Sequence, residues 1–505
     1  MQQIALKYSP HQERIFTFIQ ESTKSATVIA VAGAGKTTTL VEAFKRIQSR
    51  ALMLAFNKSI ADELKTRVPQ HVTVATFHSV GFTAWQRYLG SRVRVESSKV
   101  SDIMKEEMSP KEGELYGAFV RKMVSLAKSV GMGYLVNDVE SEWAALADHY
   151  DVEPESESAR IEDGIAIARD ILQLSNAASK QVIDFDDMLF MPLIKNVTFT
   201  KFPFVCIDEA QDTNGVQRAL LKRMIEAPSG RLIAVGDPCQ AIYGFRGADS
   251  SAMAKIKEEF ECEELPLTVS YRCPRAVVAM AQTIVPYIEA SDKAPEGLVV
   301  HNPGKVNDDG KFEAWPFRPE DAILCRNSAP LVATAYRLIA KRIGCRILGR
   351  DIGAGLVSLI KQLNAKGIDA LLVKLDEWEA REIDRAMAKD QSTKAESVRD
   401  RVDCIRIIIG ALAERERTVP KLIEAIQSLF TDKANGTITL CTVHKAKGME
   451  WQRVYILDHN KLMPSKWAKR PWQKEQEKNL MYVAYTRAKF ELAFIDSDRE
   501  IPDPA

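Results

Sequence analysis

The chain is 505 residues long, 46% hydrophobic and 27% charged, with a formal net charge of +1. That length is too great for one hydrophobic core and predicts about three to four domain-sized units. No long uninterrupted apolar run occurs, which excludes an α-helical membrane span. The near-neutral charge excludes a strong overall positive field, so any nucleic-acid role has to rest on a local groove.

The N-terminal MQQIALKYSP has neither the basic start nor the apolar stretch of a secretory leader. TVIAV (Thr27–Val31) reads as a strand and TLVEAFKRI (Thr39–Ile47) as a helix. Between them, AVAGAGKTT (Ala30–Thr38) is a Gly-rich turn of the kind that aims successive N–H groups at a phosphate, with a helix N-terminus behind it. In this pattern Lys36 reaches the β- and γ-phosphates and the Thr37 hydroxyl binds Mg²⁺. Ala32, Gly33, Ala34, Gly35 and Thr38 complete the cradle. The usual G-x-x-x-x-G-K-[ST] begins with Gly, where this chain has Ala30; a Gly-rich left-handed turn without a ligand is the plainer alternative. Strand and helix patterns continue through RALMLAF, KSIADELKTRV and HVTVATFHS.

Residues 90–183 are charged, helical and poor in strands, with an acidic patch at Asp151–Asp163; they read as an all-helical insertion. DFDDML (Asp184–Leu189) reads as a helix start with an acidic first turn. FPFVCIDEAQD (Phe202–Asp212) is an apolar strand ending in two acids, the position at which a parallel sheet places ligand chemistry. Asp208 is expected to hold Mg²⁺, and Glu209 to orient and deprotonate the attacking water. A strand followed by a solvated acidic turn is the alternative. RLIAVGD (Arg231–Asp237) leads into GDPCQAIYGFRGAD, where Gln240 is placed to feel the γ-phosphate. Tyr243 and Phe245 there suit base stacking, with Arg246 supplying charge; filling the core is an equal reading for the two aromatics.

A third block starts near Leu267 and holds AILCRN and CRILGRD. Residues 352–434 are again charged and helical, and TITLCTVH, RVYILD and ELAFID close a second α/β unit. The run PSKWAKRPWQK (Pro464–Lys474) sets two Trp among Lys and Arg; it reads equally as a DNA contact or as an exposed loop. The eight Cys contain no C-x-x-C pair, and Cys206, Cys325 and Cys441 read as buried thiols of a reducing cytoplasm.

The phosphate loop, IDEAQD, GDPCQAIYGFRGA, TVHKAKGMEW and YVAYTRAK, in this order, resemble superfamily 1 helicases of the UvrD/Rep type. AFNK (Ala55–Lys58), the GDP wording and NLMYVAYTRAK are most similar to the branch that includes the F-box DNA helicases, here without an F-box-like extension. The resemblance implies an α/β fold of two RecA-like parallel-sheet cores. The first is expected from 1–89 and 184–266 with insertion 90–183, the second from 267–351 and 435–505 with the short insertion 352–434. It implies an ATP-dependent translocase and helicase on single-stranded DNA and single-strand/duplex junctions, moving 3′ to 5′, with ATP and Mg²⁺.

By position, the resemblance gives Gln12 of SPHQ to adenine, Tyr271 of VSYRCP to stacking on adenine, and Arg272 to the γ-phosphate. Glu450 goes to the ribose, and Arg487 of YVAYTRAK is the second arginine finger, a device worth about 10³–10⁵ in kcat. Phe56, Asn57, Thr76, His78, Thr442 and His444 are assigned to the DNA strand, His444 with a satisfied core histidine as its alternative. Thr38 stands where an Arg is common in the family, and the second insertion is short for a duplex clamp. ATP is expected to bridge the two cores and hydrolysis to release them. Stripping proteins from DNA without processive unwinding, or an ATP-gated DNA-binding regulatory subunit, are the alternative functions. A cytoplasmic, nucleoid-associated bacterial or phage protein is implied, with a loading, repair or replication partner and no membrane.

Overall fold

In the computed structural model the described residues are 8–154, 156, 158–244, 251–301, 304–306, 312–314, 317–388, 392–431 and 437–497. Contacts divide the chain into two compact units, Met1–Val31 with Gly35–Thr268, and Val269–Ala505 with Ala32–Ala34. Among the described residues no helix is long and apolar enough to cross a membrane.

The first unit is built on six parallel strands, β1 (Ala26–Ala30), β2 (Ala51–Ala55), β3 (Val72–Thr76), β4 (Phe204–Ile207), β5 (Arg231–Gly236) and β6 (Glu263–Leu267). They lie in the order β3-β2-β4-β5-β1-β6. ALMLA in β2 and FVCI in β4 are buried at every position, as strands covered by helices on both faces must be. Ala30 closes β1 as extended backbone beside Leu267 of β6, fully buried, so the missing motif glycine is not needed for backbone freedom there. EELPL in β6 does not read as a strand. Its two exposed Glu and its Pro suit the sheet edge that it occupies.

The helices between β3 and β4 in the chain include Lys99–Glu107, Pro110–Val130, Glu140–His149 and Ile161–Ala178. Ser109 and Glu112 form a capping box at the start of the longest, and Gly131 in the left-handed region ends it. These helices share one apolar core with the strands: Leu54 and Ile207 belong to the same cluster as Trp85, Phe119 and Trp143. Inside it lie two lysines. Lys99 donates to Asp187 at 2.5 Å, the Ser175 carbonyl at 2.6 Å and the Ser179 hydroxyl at 2.9 Å. Lys128 meets Asp184 and Asp187, each at 2.7 Å. DFDDML thus starts the helix Asp187–Ile194, with Asp187 in its first turn and Asp184 accepting from the Asp187 N–H.

The second unit holds seven parallel strands, β7 (Leu298–His301), β8 (Ala322–Cys325), β9 (Cys345–Leu348), β10 (Phe430–Thr431), β11 (Ile438–Thr442), β12 (Trp451–Leu457) and β13 (Ala488–Ile495). Their order is β7-β13-β12-β8-β11-β9-β10. The helices Arg350–Leu363, Ile368–Ala388, Ser392–Ala411 and Val419–Leu429 follow β9, and their Leu and Ile faces share a core with Ile323, Leu440 and Leu457 of the sheet. Both units are therefore α/β with a parallel sheet and a helical segment within it, the expected fold class.

Candidate nucleotide and nucleic-acid sites

The carboxyl ends of β1, β4 and β5 carry the phosphate-loop chemistry. Gly33 and Gly35 take φ of +72° and +75°, which only glycine adopts without strain. The helix Lys36–Phe44 begins at Gly35 with no side-chain cap, so its first N–H groups point at the loop. Lys36 Nζ lies 2.9 Å from one Glu209 carboxylate oxygen and 3.0 Å from the other. The Thr37 hydroxyl donates to Asp208 at 3.4 Å. Glu209 sits at φ +55°, a costly backbone for a side chain of its size, and its N–H donates to Asp208.

Two residues missed from the sequence complete this cluster. Gln211 donates to Glu209 at 2.6 Å and accepts from the Asp237 N–H, tying the ends of β4 and β5 together. Asp237, fully buried, accepts from Gln240 at 2.7 Å. Its signal was available: it ends an apolar strand just as Asp208 does.

One lysine faces three carboxylates, and the electrostatics follow. Burial pushes the Lys36 ammonium down, but Glu209, Asp208 and Asp237 outweigh it and the net shift is upward. Burial raises Asp237 to about 6. Burial, and then Glu209, raise Asp208. The surplus negative charge beside a hydroxyl and an uncapped helix start fits a bound cation with a phosphate chain. Thr37 and Asp208 are the residues that would hold Mg²⁺.

Gln12 shares a capping box with Ser9 and donates to Thr39 at 2.9 Å, on the helix that begins at Lys36. Thr38 is exposed, while Ala32 and Ala34 are buried.

A groove of about 260 Å³ in the first unit gathers Phe56, His78 and Tyr243. The three follow β2, β3 and β5, and Phe56 is 50% exposed. Burial lowers the His78 pKa, which favours the neutral ring. Ser125 and Asp186, hydrogen-bonded at 2.7 Å, also line it. No local spacing joins residues 61 positions apart, and the acidic DFDD run was the one available signal. Asn57 and Thr76 instead cap the helices Lys58–Lys65 and Phe77–Leu89 through their side-chain oxygens. Phe245 and Arg246 lie outside the described residues.

In the second unit Arg272 pairs with Glu450 at 2.5 Å, and Lys489 holds the other Glu450 oxygen at 2.5 Å. These cations overcome the effect of burial and hold the Glu450 carboxyl below its usual range. Arg272 also reaches the Thr486 carbonyl at 3.4 Å. Arg487, almost fully buried, donates to the carbonyls of Val483 and Met449 at 2.9 and 3.1 Å and to the Thr486 hydroxyl at 3.1 Å. Arg272, Glu450 and Arg487 thus form one constellation. Tyr271 beside them is 48% exposed. Thr442 and His444 are half-buried at the end of β11 and in the turn of helix Val443–Ala446.

The UvrD/REP helicase N-terminal domain family matches residues 9–261, and the UvrD-like helicase C-terminal domain family matches residues 355–499. F-box DNA helicase 1 of Gallus gallus is 25% identical over 96% of this chain and 48% of its own length. A probable DNA helicase II homolog of Mycoplasma pneumoniae is 28% identical over 53% of this chain and 41% of its own. The ATP-dependent DNA helicase PcrA of Staphylococcus epidermidis is 26% identical over 55% of this chain and 40% of its own. The chain spans about half the length of the curated relatives that it matches.

Proposed function

Given that this chain belongs to the UvrD/REP helicase family, we propose that it is an ATP-driven motor that moves 3′ to 5′ on single-stranded DNA and unwinds duplex. The observation that carries the reading is the carboxyl edge of one parallel sheet. There the Lys36, Asp208, Glu209 and Asp237 cluster follows β1, β4 and β5, and the groove of Phe56, His78 and Tyr243 follows β2, β3 and β5.

Lys36 binds the β- and γ-phosphates, and Thr37 and Asp208 hold Mg²⁺, which neutralises developing phosphate charge when bound. A phosphate that draws Lys36 away frees Glu209 to take the proton of the attacking water. Gln211 fixes the orientation of Glu209, and Gln240 senses the γ-phosphate through Asp237. Gln12 reads adenine, Tyr271 stacks on it, and Glu450 takes the ribose. Arg272 and Arg487 stabilise transition-state charge. Phe56, His78, Tyr243, Thr442 and His444 contact the strand. The division into two cores and two insertions, 90–183 and 352–434, is part of the same proposal, as are single-strand/duplex junctions as the working substrate.

Strand displacement from 3′-tailed and 5′-tailed duplexes, with and without ATP, tests this. ATP-dependent release from the 3′-tailed duplex alone is expected. ATP turnover that single strands stimulate, without release from either duplex, would leave a translocase that does not unwind. Turnover indifferent to DNA would end the motor reading.

A further inference from the structure

A cavity of about 690 Å³ in the second unit is lined by the start of helix Ala329–Ala340, by helix Ser392–Ala411 and by the segment around Trp467. None of its lining residues belongs to the nucleotide or strand sites described above, and Ser465, Lys466 and Trp467 fall in the run that the sequence leaves open between a DNA contact and an exposed loop. Its size is that of a small-ligand site.

Trp467 is held on a stiff support. The Ser465 hydroxyl accepts from the Trp467 N–H at 3.2 Å and donates to Glu396 at 2.7 Å. The Ser465 N–H donates to Glu477, which Arg326 grips with two nitrogens. The carboxylates of the cavity are engaged by groups of the fold. Asp400 accepts from the N–H groups of Ser328 and Ala329 and so caps a helix. Glu396 also accepts from Asn327. Asp403 faces Arg406 at 3.6 Å.

Two cations are left over. Among the described residues neither Arg399 nor Lys466 forms an ion pair, and each places its charge 5.3 Å from the centre of the Trp467 ring. A partly exposed cation on an aromatic face is a weaker pairing than a stacked base, and a phosphate is a better partner for both cations than the ring. A nucleotide supplies both replacements at once.

We infer that this cavity binds one nucleotide unit of a single-stranded nucleic acid, its base on Trp467 and its phosphate between Arg399 and Lys466. The inference rests on the DNA reading only for the source of that nucleotide. A free mononucleotide offers the same chemistry and is separated by experiment.

The test uses the full chain and an oligodeoxyuridine strand carrying 5-iodouracil, with photo-adducts mapped by mass spectrometry. An adduct at Trp467 is expected. The double variant Arg399→Gln/Lys466→Gln changes half-exposed and exposed side chains and keeps the fold. It should lower the slope of log affinity on log salt by about 1.4, for two contacts on a single strand. Trp467→Ala should weaken binding by about 5- to 150-fold, one lost stack, and Trp467→Phe should recover most of it. Tyr243→Ala should weaken strand binding and leave the Trp467 adduct in place. Millimolar dUMP that abolishes the adduct equally well at the same occupancy would assign the cavity to free nucleotides. A strand that crosslinks elsewhere but never at Trp467, with the salt slope unchanged in the double variant, overturns the site while sparing the DNA reading. A strand that does not bind the chain at all overturns both.

Discussion

The first unit contains two lysine–carboxylate clusters that look alike on paper and differ in balance. Around Lys99 and Lys128, two ammonium groups meet Asp184 and Asp187, with three of the four side chains sealed from solvent and Asp184 at the edge 12% exposed. Around Lys36, one ammonium meets Asp208, Glu209 and Asp237, and the Lys36 and Glu209 side chains remain 13% and 26% exposed. In the first cluster the two paired aspartates balance the two ammonium groups, while Asp186 beside them is pushed up by burial, and the ions act as architecture. In the second the surplus is negative and reachable, and Asp237 within it is held at a raised pKa chiefly by burial, with Glu209 adding a smaller push. Buried charge alone does not mark a site; uncancelled charge with an opening does.

The sharpest test lies outside both clusters, at Arg487, which is buried against carbonyl oxygens and a hydroxyl. If its charge is kept for a ligand, Arg487→Ala lowers kcat by about 10³–10⁵ at saturating single-stranded DNA, with a modest change in ATP affinity. A change in KM alone would make it a ground-state contact. Next is Glu209→Gln, expected to slow turnover by about 10²–10⁴ while ATP still binds, whereas Lys36→Ala loses both. Near-normal hydrolysis by Glu209→Gln would remove it as the base.

Asp187→Ala should behave in the opposite way. Breaking a buried charge cluster costs about 3–5 kcal/mol of stability, read as a large fall in Tm, while kcat per folded molecule stays close to the parent's. A loss of kcat without a loss of Tm would erase the distinction between the clusters.

The smallest effect is the pH dependence of Asp237. Its folded pKa is raised to about 6, so the folded state binds the proton more tightly than the unfolded chain. Stability from this group is present in acid and declines as pH rises from about 4 through 6. Asp237→Asn lacks that decline. Across this window the stability difference should move in the variant's favour by on the order of 2 kcal/mol, measured by urea unfolding at several pH values. Parallel curves would mean that Gln240 and the surrounding N–H groups already cancel the charge.

What could be read from the sequence is what the chain states locally. Lys36, Asp208 and Glu209 each follow an apolar strand within a few residues, so strand and chemistry appear in one string. The parallel α/β character was legible for the same reason, because fully buried strands are written as continuous apolar runs. β6 was not legible, because an edge strand can carry Glu263, Glu264 and Pro266. Gln211 was overlooked because its role depends on an N–H donor 26 residues away. The Lys99–Asp187 pair spans 88 residues, and Ser125 meets Asp186 only through packing. DFDDML showed its helix start and concealed its lysines.

Ala30 carries one more consequence. It ends β1 fully buried beside β6, in extended backbone, while the left-handed turns of the loop fall on Gly33 and Gly35. The first position of the phosphate-loop motif is here a limit on side-chain volume rather than on torsion. A search template that insists on glycine at that place would discard this chain, and one that admits any residue with a very small side chain would keep it.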